Sequence, residues 1–269
     1  MKVIISHDID HLTPFEHLNS LLIPKFLIRA TIELFLGVIS FSEYIKRYKN
    51  IFILNKWQNL DELMEFNRQN QIPATFFIGV NSGMGLTYPL KEAKKWAKKI
   101  DSLGFDVGVH GIEFDNFEGV KKEYERLFNI IQKPIGIRMH YLRNDKKTLE
   151  FLAKAGYIYD STTIGDKDPY KIDSMWEFPL HIMEMDLIFE KNKRWQSQKF
   201  ETIKDKTKRR LDELLEKNLK YVSILFHDRY FDDSFVSWKN WYKFSIEYLK
   251  QNDIEFISYK DAIKELESA

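Results

Sequence analysis

The stretch KVIISHDID at residues 2–10 joins an apolar run to two acidic residues, Asp8 and Asp10. A short run rich in β-branched residues predicts a buried strand, which we place at Lys2–His7. Because side chains alternate along an extended chain, Asp8 and Asp10 would face one side of the strand and His7 the other. The acidic pair is also typical of a solvated turn that caps a following helix.

Similar apolar runs recur along the chain between longer amphipathic stretches, and this alternation predicts a parallel strand-helix architecture. The predicted strands are Lys2–His7, Pro73–Ile78, Phe105–Val109, Pro134–Arg138, Tyr157–Asp160, a stretch within Trp176–Leu187, Tyr221–Phe226 and Glu255–Ser258. The predicted helices are Asp61–Asn70, Lys91–Leu103, Phe117–Gln132, Lys146–Ala155, Phe200–Asn218, Trp238–Gln251 and Lys260–Leu266. We therefore expect an α/β barrel of seven or eight parallel strands, formed by residues 1–269 as one domain with an amphipathic helical insertion at about 12–50.

The composition of the 269-residue chain limits the class of protein and the kind of site. Hydrophobic residues make up 44% and charged residues 30%, which excludes disordered and collagen-like chains. The net charge is only +1, so no global charge favours nucleic acid, and we expect no nucleic-acid partner. The chain has no cysteine, so a metal site must use histidine and carboxylate ligands.

The most apolar stretch, Leu21–Phe41, carries Lys25, Arg29 and Glu33, which are costly inside a bilayer. At helical spacing these charges form one stripe, with Glu33 able to pair with Arg29, opposite a broad apolar face. That face either packs on the core or contacts a membrane surface or a partner, and residues 20–45 are the candidate for peripheral membrane contact. No run typical of a secretory signal stands near the first residue, so we expect a cytoplasmic protein.

Ionisable residues follow several of the predicted strands, where a parallel barrel gathers its functional loops. They are Asp8 with Asp10, His110, Arg138 with His140, Asp160, and His227 with Asp228. We expect these side chains to meet at the barrel mouth. Taken singly, His110 is as typical of a structural histidine, and His227 of a strand-end residue paired with Asp228. Asp160 also fits a capped turn, and His181 fits either the rim or the interior.

Five short motifs follow one another along most of the chain: Asp8-Ile9-Asp10, Ala74-Thr75-Phe76-Phe77, Asp106-Val107-Gly108-Val109-His110, Gly136-Ile137-Arg138-Met139-His140-Tyr141 and Leu225-Phe226-His227. In this order they resemble the polysaccharide deacetylase, or NodB-homology, family of carbohydrate esterases. Residues 138–143 resemble a subgroup found with surface-glycan and O-antigen synthesis. The resemblance implies a distorted (β/α) barrel and a divalent metal, often zinc, that serves the hydrolysis of N-acetyl groups on sugars.

The resemblance also implies roles for the residues at matching positions. It makes Asp8 the general base and Asp10 a metal-ligating carboxylate, and His110 matches the first histidine ligand. Arg138 would hold Asp8 ionised and oriented through a charge-assisted hydrogen bond. His227 would donate a proton to the departing amine.

The family's second histidine ligand lies four residues after the first, where this sequence has Phe114. Asp115 and His140 are the two replacement candidates. We favour His140 because it ends a neighbouring predicted strand, whereas Asp115 is suited to capping the helix that begins near Asn116. Two histidines and one carboxylate suit Zn²⁺, which is the expected ion.

The predicted function is a metal-dependent hydrolase that removes N-acetyl groups from a sugar or a lipid-linked glycan precursor. Some relatives of this fold act on cyclic amides, so a C–N hydrolase for a non-sugar amide is an alternative. A carbohydrate-binding barrel that has lost catalysis is a further alternative, and it is motivated by Phe114.

Overall fold

The computed structural model describes residues 1–145 and 147–268. Its strands are β1 (Lys2–Ile9), β2 (Thr75–Ile78), β3 (Asp106–Gly111), β4 (Ile137–Met139), β5 (Tyr159–Asp160), β6 (Tyr170–Ile172), β7 (Met175–Glu177), β8 (Leu180–Met183), β9 (Tyr221–Leu225) and β10 (Glu255–Phe256). Its α-helices are α1 (Leu22–Phe35), α2 (Phe41–Phe52), α3 (Leu60–Gln69), α4 (Leu90–Ser102), α5 (Phe117–Ile131), α6 (Thr148–Ala155), α7 (Glu184–Ile188), α8 (Phe200–Glu216), α9 (Val236–Gln251) and α10 (Tyr259–Ser268).

The strands form one curled sheet in the order β6-β7-β5-β4-β3-β2-β1-β9-β8, with β10 paired to β1. The ladders are parallel except the one between β6 and β7. Beyond β5, Ile164 forms a parallel bridge with Leu180 of β8, so backbone hydrogen bonds link distant parts of the curled sheet. The predicted α/β barrel with a mostly parallel sheet is confirmed.

The predicted number of strands, seven or eight, is wrong, because the described residues contain ten. Strands β6 and β7 form an antiparallel pair, and Trp176–Leu187 contains parts of two strands rather than one. Strands of two or three residues are too short to show a periodic pattern. The predicted helix Lys146–Ala155 corresponds to α6, and Lys146 lies outside the described residues.

The stretch Leu21–Phe41 forms a helix and a turn rather than one continuous helix. Helix α1 ends at Phe35, and Gly37 follows with a φ of +65°, a conformation that favours glycine. Ser40 then begins α2 through a reciprocal capping interaction with Glu43. Among the described residues, no helix combines the length and the apolar character needed to cross a bilayer.

The expected ion pair between Glu33 and Arg29 is wrong. Glu33 is buried and pairs instead with Arg47 of α2. A buried carboxylate needs a buried partner, whereas a pair on a helix surface contributes only about 0.5 kcal/mol. The contact between α1 and α2 therefore decides which way this side chain faces.

Apolar side chains of alternating orientation fill the inside and the outside of the curled sheet. Ile4 of β1 packs in an inner cluster that also contains Phe77, Tyr159 and Tyr259, while Ile5 packs in the outer cluster with the helices. On the inner side a Cβ on Gly136 would lie 2.1 Å from the Tyr159 ring, so only glycine fits there. This inner layer closes the barrel below the residues of the candidate site.

Candidate active site

The carboxyl ends of β1, β3, β4 and β9 bring most of the predicted site residues to one pocket. Its cavity is about 270 Å³. Two carboxylates at the end of β1, three imidazoles, one guanidinium and several apolar or aromatic side chains line it: Asp8, Asp10, His110, His140, His227, Arg229, Met139, Tyr141, Leu142, Met183, Met185, Leu225 and Tyr230. The side-chain alternation expected for β1 is confirmed, because His7 packs behind the pocket. Its Nδ1 lies 2.8 Å from the Phe226 carbonyl oxygen.

Asp10, His110 and His140 place one ligand atom each within 4.8 Å of the other two. The Nε2 atom of His110 lies 3.2 Å from Oδ1 of Asp10 and 3.0 Å from Nδ1 of His140. The Nδ1 atom of His140 lies 3.4 Å from the same carboxylate oxygen. Two imidazole nitrogens and one carboxylate oxygen form a donor set that suits Zn²⁺ and other divalent cations.

Backbone carbonyls fix the orientation of both imidazoles. Nδ1 of His110 lies 3.0 Å from the carbonyl oxygen of Arg138, and Nε2 of His140 lies 3.2 Å from that of Met84. Because a carbonyl only accepts, these ring nitrogens carry the protons, and the lone pairs of the opposite nitrogens point toward each other. Two facing lone pairs beside a carboxylate require a positive charge between them, so the residues present fit a metal cation.

The charged groups around the three donor atoms also favour a bound cation. Burial alone would lower the pKa of His110, but the carboxylates of Asp8 and Asp10 outweigh it and raise the pKa above its ordinary value. Burial alone would raise the pKa of Asp10, but the imidazoles of His227 and His110 hold it well below its usual range. The cluster therefore attracts a cation or, in its absence, a proton.

Arg138 donates a hydrogen bond to Asp8, which is the contact expected from the sequence. Oδ1 of Asp8 accepts from Nη1 of Arg138 at 3.0 Å, while its Oδ2 lies 3.8 Å from Nε2 of His110. The buried guanidinium is itself held by Ser161 and Tyr259 at 2.9–3.0 Å and lies over the Phe77 ring. Arg138 thus holds Oδ1 of Asp8, and Oδ2 faces the cluster of donor atoms.

His227 pairs with Glu184, a residue that the sequence analysis did not single out. Nδ1 of His227 donates to the buried Glu184 carboxylate, and its Nε2 lies 3.5 Å from Oδ2 of Asp10. Burial alone would lower the pKa of His227, but Glu184 and Asp10 raise it to about 10. Glu184 directly follows β8, so the strand-end rule would have found it had the boundaries of that strand been predicted.

The alternative in which His227 pairs with Asp228 is wrong. Asp228 is buried, and its Oδ2 accepts the backbone N–H of Asn59 at 3.2 Å. Burial raises the pKa of Asp228 to about 8, because the carboxylate has few compensating partners.

The remaining predicted residues lie away from the cluster. Phe114 lies under the Arg143 guanidinium, and Asp115 is exposed. Asp160 is buried beside Glu177 and accepts from Thr162, so it does not meet the other strand-end residues in the pocket. His181 packs inside, where its Nδ1 accepts the backbone N–H of Ser223 at 3.1 Å.

The turn after His140 carries a strained backbone. Tyr141 and Leu142 have φ angles of +58° and +51°, and Met84, which faces His140, has +54°. Such values cost about 1–3 kcal/mol each for residues other than glycine and occur where surrounding structure imposes them, often at functional sites. Here the strain turns the chain so that the His140 ring faces His110.

Comparisons with known proteins identify the fold. No family model and no curated protein sequence matches the chain. A solved structure described as a polysaccharide deacetylase from Mycobacterium smegmatis is 14% identical with a TM-score of 0.66, covering 99% of this chain and 90% of that one. A second so described, from Pseudomonas aeruginosa PAO1, is 14% identical with a TM-score of 0.62 and coverages of 97% and 88%.

The PuuE allantoinase is also similar in structure, at 14% identity and a TM-score of 0.60, covering 97% of this chain and 87% of that one. At such identity the likeness is one of fold. It confirms, at the level of fold, the resemblance that the five motifs predicted. The chain therefore has the deacetylase type of barrel.

Proposed function

We propose that the protein is a metal-dependent hydrolase that removes N-acetyl groups from a sugar or a lipid-linked glycan precursor. The observation that carries this proposal is the convergence of the Asp10, His110 and His140 donor atoms beside the Asp8–Arg138 pair. In this proposal Asp10, His110 and His140 hold a divalent ion, for which Zn²⁺ is our candidate. A divalent ion supplies a Lewis acid that polarises an amide carbonyl and makes water more acidic.

Asp8 acts as the general base. Arg138 occupies Oδ1 of Asp8, so Oδ2 is the oxygen that accepts a proton from the attacking water. The guanidinium also offsets the cost of burying the Asp8 carboxylate, because an isolated charge would be costly there.

His227 acts as the general acid. The Glu184 carboxylate accepts a hydrogen bond from the Nδ1–H group, which leaves Nε2 directed to the pocket. Protonated His227 would donate from Nε2 to the amine nitrogen as the C–N bond breaks. The methionine and leucine side chains of the pocket exclude water from the rest of the acyl group.

A screen of substrates tests the proposed reaction. Protein loaded with Zn²⁺ is incubated with a panel of N-acetylated sugars and with cyclic amides, and the free amine and acetate are measured. We expect amine release from the sugars that a chelator abolishes and Zn²⁺ restores. Hydrolysis that persists unchanged after chelation would contradict metal dependence.

The same screen distinguishes the alternative of a C–N hydrolase acting on a non-sugar amide. This alternative is favoured by the structural likeness to the PuuE allantoinase. Turnover of cyclic amides without turnover of acetylated sugars would select it. A carbohydrate-binding barrel without catalysis has less support, because Phe114 lies away from the pocket and His140 completes a set of three donors.

Peripheral membrane contact is the second part of the proposal, and it concerns the α1–α2 segment, residues 14–54. Eleven of the eighteen exposed large apolar side chains of the described residues lie in this segment: Phe15, Leu18, Leu21, Ile28, Phe35, Leu36, Phe41, Ile45, Phe52, Ile53 and Leu54. In α1 and α2 the carboxylates Glu33 and Glu43 are buried, whereas Lys25, Lys46 and Lys49 are exposed. An apolar face bordered by lysines suits a bilayer with anionic headgroups.

Vesicle co-sedimentation tests this contact. We expect binding to phosphatidylcholine vesicles that contain phosphatidylglycerol, and loss of binding when Phe35 and Phe52 are both changed to Ser. Both side chains are exposed, so the variant should fold, and Phe128→Ser is a matched control on α5. Protein that stays in the supernatant with these vesicles would contradict a lipid surface, and self-association in the same sample would indicate a second copy as the occupant.

A further inference from the structure

A crevice between α1 and the chain after β9 lies beside the active-site pocket. The two share Arg229 and Tyr230. Four guanidinium groups border the crevice, from Arg29, Arg47, Arg194 and Arg229, and Glu33 is the one carboxylate in its wall. The wall therefore has an excess of three positive charges.

The carboxylate of Glu33 is already fully used. Its Oε2 pairs with Nη1 of Arg47, and its Oε1 accepts the backbone N–H of Gln196 at 2.8 Å. Within residues 1–145 and 147–268, Arg29, Arg194 and Arg229 make no ion pair, which leaves three cations of the crevice without a counter-charge.

Two buried donors at the crevice have no acceptor among the described residues. Arg47 is only 2% exposed, and its Nη2 is unpartnered although Nη1 and Nε are bonded. Nε of Arg229 is also buried and unpartnered. A charged donor buried without an acceptor costs more than about 1–3 kcal/mol, so both groups would be stabilised by an acceptor such as the oxygen of a bound anion.

Aromatic rings hold Arg229 in place. Its guanidinium carbon lies 4.7 Å from the centre of the Tyr230 ring, 5.4 Å from that of Trp57 and 5.6 Å from that of Phe26. Cation–π contacts with these rings restrict the motion of the guanidinium without using its N–H donors. The cation is thus positioned before any anion arrives.

We propose that this crevice is a subsite for a phosphate or diphosphate group of the substrate. This inference rests on the proposed function, because the anion would belong to the sugar whose amide occupies the adjoining pocket. The crevice has room of about 20 Å³ for a water-sized group, so one oxygen atom of the anion would enter it and the other atoms would lie toward the solvent. A phosphoryl group matches the planar, two-pronged donor edge of arginine.

Calorimetric titration with inorganic pyrophosphate tests the subsite independently of hydrolysis. The protein is treated with a chelator so that no metal offers a second site for the anion. We expect saturable binding at low salt that weakens about tenfold in Arg229→Gln and in Arg194→Gln. Arg194 is exposed, so its variant should fold even if Arg229→Gln does not. Arg209→Gln on exposed α8 surface removes the same charge and should bind as the wild type does.

No saturable binding by the wild type, or equal weakening by Arg209→Gln, would overturn the subsite. Pyrophosphate binding without hydrolysis of any acetylated sugar would instead contradict the proposed function and leave the subsite standing.

A kinetic experiment tests the subsite during hydrolysis. The KM of N-acetylglucosamine is compared with those of its uridine diphosphate and short-chain prenyl diphosphate conjugates. We expect a lower KM for at least one conjugate, and the better of the two indicates whether the anion comes from a nucleotide or a lipid carrier; equal KM values for all three would overturn the subsite.

Discussion

Buried ionisable side chains are bonded differently at the barrel mouth and in the α1–α2 segment. At the mouth, backbone carbonyls and Arg138 hold His110, His140 and Asp8 by one atom each and leave another atom of each side chain toward the pocket. In the segment, Glu33 and Arg47 pair with each other, while apolar side chains remain at the surface. Position is set by strand register in the first region and by contacts between helices in the second.

The largest effect that this comparison predicts is the loss of activity in the Asp8→Asn variant. Asparagine still accepts from Arg138 through its amide oxygen, so the fold and metal content should remain, but it cannot take a proton. We expect the kcat for amide hydrolysis to fall about 10³-fold. Steady-state kinetics together with metal analysis check this result. Asp115→Asn removes an exposed carboxylate and is the matched control. Full activity in Asp8→Asn would exclude Asp8 as the base.

A matched pair of isoleucines tests the α1–α2 segment. Ile51 is 1% exposed and Ile45 is 47% exposed, although both lie on α2. We expect Ile51→Ala to lower the free energy of unfolding by about 2–5 kcal/mol and Ile45→Ala to change it by less than about 0.5 kcal/mol. Chemical denaturation measures both. Equal losses would mean that the apolar face of α2 is covered in solution.

The same contrast explains how much could be predicted from the sequence. Strand-end residues such as His110 and Arg138 were predictable, because parallel strands bring their carboxyl ends to one edge and the register pairs these two residues directly. The short strands carry no periodic signal, so β6 was missed, and β7 and β8 were predicted as a single strand. The predicted partner of Glu33 was wrong, because the sequence of α1 does not indicate that Arg47 of another helix would pair with it.

Glu123 extends the comparison to the loop behind the mouth. This buried side chain accepts the backbone N–H groups of Ile112 and Glu113 at 3.2 and 3.3 Å, just after β3. Burial raises its pKa from 4.5 to about 7, so ionising this carboxyl group costs more free energy in the folded protein than in the unfolded chain. This contribution to stability is fully present below about pH 4.5 and is lost as the pH rises through 7.

We therefore expect the free energy of unfolding of the wild type, relative to Glu123→Gln, to fall by about 3 kcal/mol between pH 4 and pH 8. Urea denaturation across this range measures the difference. Glu118→Gln removes an exposed carboxyl from the same helix and serves as the control. A difference between wild type and Glu123→Gln that does not change with pH would contradict the raised pKa.

The smallest expected effect distinguishes the two candidates for the third metal ligand. His140 directs a ring nitrogen at His110 and Asp10, whereas Asp115 is exposed and lies outside the donor cluster. We expect His140→Ala to weaken Zn²⁺ binding at least about 100-fold, or about 2.7 kcal/mol, and Asp115→Ala to leave it unchanged. Competition with a chromophoric chelator measures both affinities. The reverse ranking would mean that the loop carrying Asp115 rearranges when the ion binds. Side-chain positions at the mouth would then depend on contacts, as in the α1–α2 segment, rather than on strand register.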